Sequence, residues 1–272
     1  MTGAPHVAIV GPGRLGNGLA RALDGAGWSV VLLGRSVVDE WRGQLKERHL
    51  VLVAVPDDAI DDAARLLVGA GAIGARHVVL HTSGARDRTA LLPLEGTGAA
   101  LGSFAPVQTV ADPATAAERL RGAYAVLEGD PAAVAQGRQL ALALGMIPVE
   151  LSAGAKPAYH AGAVLVANLG TALFAMAERV AREGGVPAEV AAKLYLPLAR
   201  GAVANVEALG VAEALTGPVR RGDVATVRRH LSILKGPERA AYIALSREAL
   251  RLARGAGLGG ELADEMEAVL QV

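Results

Sequence analysis

Seven short runs rich in aliphatic and β-branched residues alternate with alanine-rich stretches as far as Leu151, and then such runs cease. They are HVAIV, WSVVLLG, LVLVAVP, HVVLHTS, AALGSF, YAVLEG and IPVEL. Runs this short and apolar read as buried strands of a largely parallel sheet, since the helices that connect parallel strands also cover them. The intervening GRLGNGLARALDGAG, PDDAIDDAARLLVGAG and DPAAVAQGRQLALALG each carry an early polar or proline residue and a closing glycine, the start and stop signals of helices. Beyond Leu151, helices are expected over 154–183, 188–209, 223–234, 237–255 and 259–271, with breaks at EGGVP and LTGPVRRGD. The pattern predicts an α/β domain over 1–151 and an all-α domain over 152–272.

The first helix opens on a glycine turn, VAIVGPGRLGN, with Gly11-x-Gly13-x-x-Gly16. In a chain of 34 glycines that spacing alone is weak. Here it follows a strand, opens a helix and leads to the second strand within about 30 residues, the setting of a dinucleotide-binding fingerprint. Gly11 permits the tight turn, Gly13 lets backbone approach a pyrophosphate, and Gly16 permits close helix–strand packing. The N–H groups at the helix start would hold the pyrophosphate. Arg14 and Leu15 lie inside the fingerprint; Arg14 either adds charge on the phosphate side or is a solvated surface arginine.

The end of the second strand indicates which cofactor. An acidic side chain there would accept from the ribose 2′-OH of NAD, but the chain has LLGRS. Arg35 offers a charged donor fork and Ser36 a hydroxyl, which suit a 2′-phosphate, so NADP(H) is expected. The third and fourth strands end in AVPDDAI and HTSGA. Val55 and Pro56 are expected to border the cofactor. Thr82 and Ser83 reach the same sheet edge, to contact substrate or nicotinamide amide or, for Ser83, to cap a turn. Asp57 either borders the cofactor ribose or nicotinamide beside Pro56 or, with Asp58, serves as a helix N-cap and first-turn acid.

The chain contains no cysteine, which excludes disulfides, cysteine-type zinc or iron–sulfur sites and a thiol nucleophile; a cytoplasmic protein without a metal site is expected. A net charge of +0 and the lack of a basic, aromatic-interleaved stripe argue against nucleic acid as partner. The start MTGAPHVAIV lacks the basic and apolar regions of a signal peptide. The longest apolar stretch, 161–177, falls short of the roughly 20 residues a bilayer needs and carries Asn168 and Thr171, so it reads as a helix buried in protein, with no membrane partner.

With GPGRLGNGLA, GRS, AVPDDAI, HTSGA, GSFAPVQT, KPAYHAGAVLVAN and ALTGPVRRGD in that order, the chain resembles Rossmann-type proteins related to pyrroline-5-carboxylate reductase and the 6-phosphogluconate dehydrogenase-like superfamily. More closely it resembles a bacterial subfamily whose helical C-terminal domain has no assigned function. The resemblance implies a nucleotide-binding Rossmann domain, a helical domain of the 6-phosphogluconate dehydrogenase-like type that forms a homodimer, and a small-molecule substrate at the junction. In one respect the chain departs from that subfamily: Ala105 stands in GSFAPVQT where a histidine is usual.

In KPAYHAGAVLVAN, His160 and Asn168 fall within about 80° on one helix, and Lys156 lies one turn before His160. A cation, an imidazole and an amide on one stripe suit a carbonyl, imine or carboxylate. The alternatives are a solvated lysine, a packed histidine and an interhelical asparagine. Tyr159 is a further proton-donor candidate, or a buried tyrosine with its hydroxyl bonded. In LTGPVRRGD, Thr216-Gly217-Pro218 reads as a turn, Asp223 as an N-cap, and Arg220 and Arg221 as carboxylate anchors or surface charges. These residues lead to an expected NADP(H)-dependent oxidoreductase acting on a small imine or carbonyl compound; the alternative is a non-catalytic NADP(H) sensor.

Overall fold

The computed structural model describes residues 4–35 and 40–271. Ser36 lies outside the described residues. All seven expected strands are present: β1 His6–Val10, β2 Ser29–Leu33, β3 Leu50–Val53, β4 Val78–His81, β5 Ala100–Pro106, β6 Tyr124–Gly129 and β7 Ile147–Glu150. They form one sheet in the order β2-β1-β3-β4-β5-β6-β7. Every pairing is parallel except β5 with β6. From β1 the chain first moves to one side, to β2, and then returns to place β3 on the other. The sheet therefore has a topological switch point between β1 and β3, and a crevice opens there at the strand carboxyl ends.

Period-two alternation divides the strand residues between two cores. Val7, Ile9, Leu50 and Leu52 pack on α1 (Arg14–Gly25) and later helices through Leu19, Leu23 and Leu140. Ala8, Val10, Val51 and Val53 face the other way, toward α2 (Trp41–Leu45) and α3 (Ile60–Gly69), which contribute Trp41, Leu45, Ile60 and Leu67. A 3-10 segment, Arg88–Thr97, covers the same face with Leu91 and Leu94. The short α4 (Ala116–Leu120) leads into β6, and α5 (Pro131–Ala143) connects β6 to β7.

The first compact unit runs through Leu165 and the second begins at Val166. Most of α6 (Lys156–Val166) therefore belongs with the sheet, beyond the expected boundary after Leu151. The second unit comprises α7 (Asn168–Glu183), α8 (Ala188–Leu194), α9 (Leu196–Leu209), α10 (Val211–Ala214), α11 (Val224–Ile233), α12 (Gly236–Gly255) and α13 (Gly260–Leu270). Its core is formed by Val224, Val227, Leu250, Met266 and Leu270 on α11 to α13. Asp223 is the N-cap of α11, accepting from Thr226 N at 3.1 Å.

Three sequence expectations change. The helix expected over 154–183 is interrupted at Ala167, and the one over 188–209 divides at Tyr195, where Pro197 in the next turn cannot continue the backbone ladder. The apolar stretch is also not buried within this chain. Lys156–Glu183 is long and apolar enough to cross a membrane by length and composition, yet no residue of its most apolar window is buried. Leu165, Val166, Leu169 and Leu173 are exposed.

Candidate active site

The glycine turn sits at the switch point. Gly11 has φ +108°, and a Cβ there would meet Ala54 O at 2.5 Å, so only glycine fits between β1 and β3. A Cβ on Gly16 would collide with the carbonyl of Gly11. Gly13 differs: nothing lies within 4 Å of a Cβ built on it, and it occupies the N-cap of α1 with no side chain capping the helix. The first-turn N–H groups thus face open space at the positive end of the helix dipole. Asn17 Nδ2 braces the turn by donating to Pro12 O at 2.6 Å and Gly13 O at 3.0 Å.

A cavity of about 490 Å³ adjoins this turn, lined by Gly11, Gly13, Arg35, Trp41, Val55 and Pro56 among others. Arg35 is exposed just past the end of β2 and lines the cavity. Trp41, buried on the cavity wall, donates from Nε1 to Gly34 O at 3.3 Å. Sequence reasoning missed Trp41, on α2, and the apolar wall residues Ala59, Ala63 and Leu66, on the 3-10 turn and α3 after β3, because none of them belongs to a motif. Arg14 is exposed and Leu15 half-buried; both are at the start of α1 outside the cavity lining.

The loop after β4 forms a second cluster. Thr82 extends the pairing with β3, its N–H and Oγ1 both donating to Val53 O. Ser83 Oγ accepts from Ala85 N at 3.1 Å and Arg86 N at 3.0 Å, so of the two readings of Ser83 turn capping is present. Asp57 and Asp58 sit in the first turn of a 3-10 helix, but neither is an N-cap: Pro56 holds that position and no side chain caps it. Arg86 Nη1 instead ties the two loops together by donating to Asp57 O at 3.2 Å.

The helix α6 lies on this loop. Lys156 is fully buried, and its Nζ donates to Ser83 O at 2.8 Å, which rules out a solvated lysine. Desolvation lowers its pKa from 10.5 to about 8, against the opposing pull of Glu128, Asp57 and Asp87. One turn on, His160 is half-buried against Gly84; a Cβ on Gly84 would come within 2.8 Å of His160 Nδ1. Gly84 is thus glycine for space. Tyr159 is half-buried, its pKa raised by desolvation.

Asn168 is not on this helix. It is the first residue of α7 and is exposed, so the stripe shared with His160 ends at the break. In the second unit Arg220 donates to Ala256 O at 3.1 Å and Arg221 is exposed. Ala105 is buried in β5 opposite Val126.

Sequence reasoning also missed a buried polar row. His81, Ser103 and Glu128 are in register on three adjacent strands, and all are buried. His81 Nδ1 accepts from Ser83 N at 3.2 Å and Nε2 donates to Asp87 O at 2.9 Å, the pattern of a neutral ring. Burial and the nearby Lys156 lower its pKa to about 4. Glu128 Oε2 accepts from Arg88 N at 2.8 Å, and burial raises its carboxyl pKa.

Residues 123–249 match a sequence family described as a domain of unknown function, DUF2520. No curated protein matches the chain by sequence. Among solved structures, protein TM1727 from Thermotoga maritima superposes with a TM-score of 0.72 at 24% identity, over 92% of this chain and 99% of that one. A reductive aminase from Aspergillus terreus, in complex with NADPH and ethyl-5-oxohexanoate, gives 0.63 at 16% identity, over 97% and 99%. An imine reductase variant from Myxococcus stipitatus, in complex with NAD+, gives 0.56 at 20% identity, over 98% and 99%. These likenesses define the fold: a Rossmann-type sheet domain followed by a helical domain.

Proposed function

We propose that the protein is an NADP(H)-dependent oxidoreductase that moves hydride to or from a small carbonyl or imine compound. The observation that carries this reading is the joint presence, in the first unit, of an uncapped glycine turn at the sheet's switch point and, at the start of α6, a buried lysine of lowered pKa that donates to the loop after β4. The residues suit the cofactor. The α1 N-terminus beside Gly13 would take the pyrophosphate, Arg35 the 2′-phosphate, and the slot beside Trp41 and Leu66 the adenine. The likeness to NADPH-bound reductive aminase supports the reading, as does the resemblance of the motifs to pyrroline-5-carboxylate reductase and the 6-phosphogluconate dehydrogenase-like superfamily.

Bound NADPH supplies the hydride. Lys156 supplies the proton: at neutral pH a lysine with a pKa of about 8 is still an ammonium, yet acidic enough to donate to a carbonyl oxygen as it gains negative charge. Ser83 O orients that ammonium, and desolvation strengthens its field. His160 and Tyr159, half-buried on the same helix, are the further polar contacts assigned to substrate.

A homodimer formed through the second unit completes the proposal. Helix α9, LPLARGAVANVEAL, has no buried residue although Leu198, Val203, Val206 and Leu209 are large and apolar. A second copy of the chain is the covering surface that this face requires.

Titration with NADPH and NADH, followed by protein fluorescence, tests the cofactor assignment. Preferential NADPH binding that weakens in Arg35→Asp supports it. Equal affinity for both, or an unchanged preference in the variant, rejects it.

A further inference from the structure

The buried row His81, Ser103 and Glu128 is hydrogen-bonded to the loop whose Ser83 O accepts from Lys156, and the proton-donor reading leaves it unexplained. The three are in register across β4, β5 and β6. On β4 and β5, Val79 and Leu101 are two residues before His81 and Ser103 and belong to the core under α2 and α3, whereas Leu127, next to Glu128, points to the opposite core. By alternation all three polar side chains share one sheet face. A polar row inside an aliphatic core is costly unless its hydrogen bonds are satisfied; Ser103 Oγ donates to Glu128 O across the strands, and the bonds of His81 and Glu128 converge on one segment, Ser83 to Arg88.

His81 holds both sides of that segment through Ser83 N and Asp87 O, and Glu128 holds its far end through Arg88 N. Arg88 is also anchored by Asp130 Oδ1 at 2.8 Å. The segment's first carbonyl, Ser83 O, is the acceptor for Lys156 Nζ. We propose that His81 and Glu128 are positioning residues that fix the Ser83–Arg88 loop and, through Ser83 O, the place and charge of the Lys156 ammonium. The inference rests on Lys156 as proton donor for its functional meaning, but its structural content is independent of turnover.

The charged and titratable groups around Lys156 have different roles. Glu128, Asp57 and Asp87 favour the ammonium, with Glu128 the foremost of them. Neutral His81 contributes geometry. Arg86 is tied to the Asp57 backbone. Of the acids favouring the ammonium, only Glu128 is buried, so its charge is the least screened by solvent.

The test is the titration of Lys156 in the full-length protein without cofactor or substrate, by NMR of protein carrying ¹³Cε-lysine. The chain's lysines are Lys46, Lys156, Lys193 and Lys235, and Lys156→Met identifies the relevant resonance. The wild-type midpoint is expected at about 8. Glu128→Gln keeps an acceptor for Arg88 N and removes the charge, so the midpoint should fall by about one pH unit. Glu128→Asp keeps the charge and shortens the reach: the midpoint should stay near the wild-type value while Arg88 N–H loses protection from hydrogen exchange. His81→Ala should remove protection at Ser83 N–H, and His81→Asn, which offers an acceptor, should partly restore it. An unchanged Lys156 midpoint in Glu128→Gln, or undiminished Ser83 protection in His81→Ala, would overturn the proposal. If these shifts appear but Lys156→Met turns over normally, the positioning stands and the proton-donor reading fails.

Discussion

Replacing Lys156 by methionine should make the protein more stable while disabling it. Lys156 is fully buried, and desolvation lowers its pKa from 10.5 to about 8. At about 1.36 kcal/mol per pH unit, the folded state below pH 8 bears a cost of about 3 kcal/mol for keeping this side chain charged. Methionine has similar length and no charge, but leaves Ser83 O without its donor, a loss of about 1–2 kcal/mol. The variant should therefore gain about 1–2 kcal/mol at pH 7. The sign of the pH dependence follows from the same shift. Between about 8 and 10.5 the unfolded chain binds the proton that the folded chain has lost, so this residue's contribution to wild-type stability rises with pH, and the variant's advantage disappears. Urea unfolding at pH 7 and pH 10 measures this. Trp28 and Trp41, the only tryptophans, both lie in the first unit and report its unfolding by fluorescence. A variant less stable than wild type at pH 7, or a difference that does not change with pH, would refute the reasoning.

Arg35→Asp should weaken NADPH binding by about tenfold to a hundredfold, the range expected for losing a charge-assisted contact, and affect NADH much less; paired titrations measure the ratio. Gly84→Ala brings a methyl group within 2.8 Å of His160 Nδ1 and should lower turnover by displacing the ring, with NADPH affinity kept within about twofold. His81 is held neutral by burial, with its pKa lowered to about 4, so its stabilising contribution is present above about 6.5 and lost as pH falls toward 4. Acid unfolding of His81→Asn should accordingly be less steep through that window, as circular dichroism would detect.

The strands were legible because each is a short aliphatic run between turn residues, and the glycine turn because its neighbours, a strand before and a helix after, are local. Pairing direction was not legible. The antiparallel contact of β5 with β6 goes with a connection carrying only a 3-10 turn, Pro113–Thr115, and the short α4, too little helix for the usual crossover. Pro197 gave a legible warning that the helix expected over 188–209 would divide. The break at Ala167 had a weaker sign, Asn168 and Gly170 just after it, set within an otherwise alanine- and leucine-rich stretch that reads as helix. In the site, Lys156 was visible as a candidate but its burial was not, because Ser83 O lies far away in the chain. His81 and Glu128 read as strand-end residues; only strand register brings them under one loop.

The most direct test of the central claim follows loss of reduced-nicotinamide absorbance from NADPH, for wild type and Lys156→Met, with small ketones, cyclic imines and an N-alkylated cyclic iminium as acceptors. Wild type should oxidise NADPH with at least one of these. Lys156→Met should lose about 10²–10⁴-fold on any carbonyl that wild type reduces, retain activity on a permanently charged iminium that needs no proton, and bind NADPH normally. Tight NADPH binding without turnover on any acceptor would contradict the account in favour of a cofactor sensor, and full carbonyl activity in Lys156→Met would contradict the role assigned to the lysine.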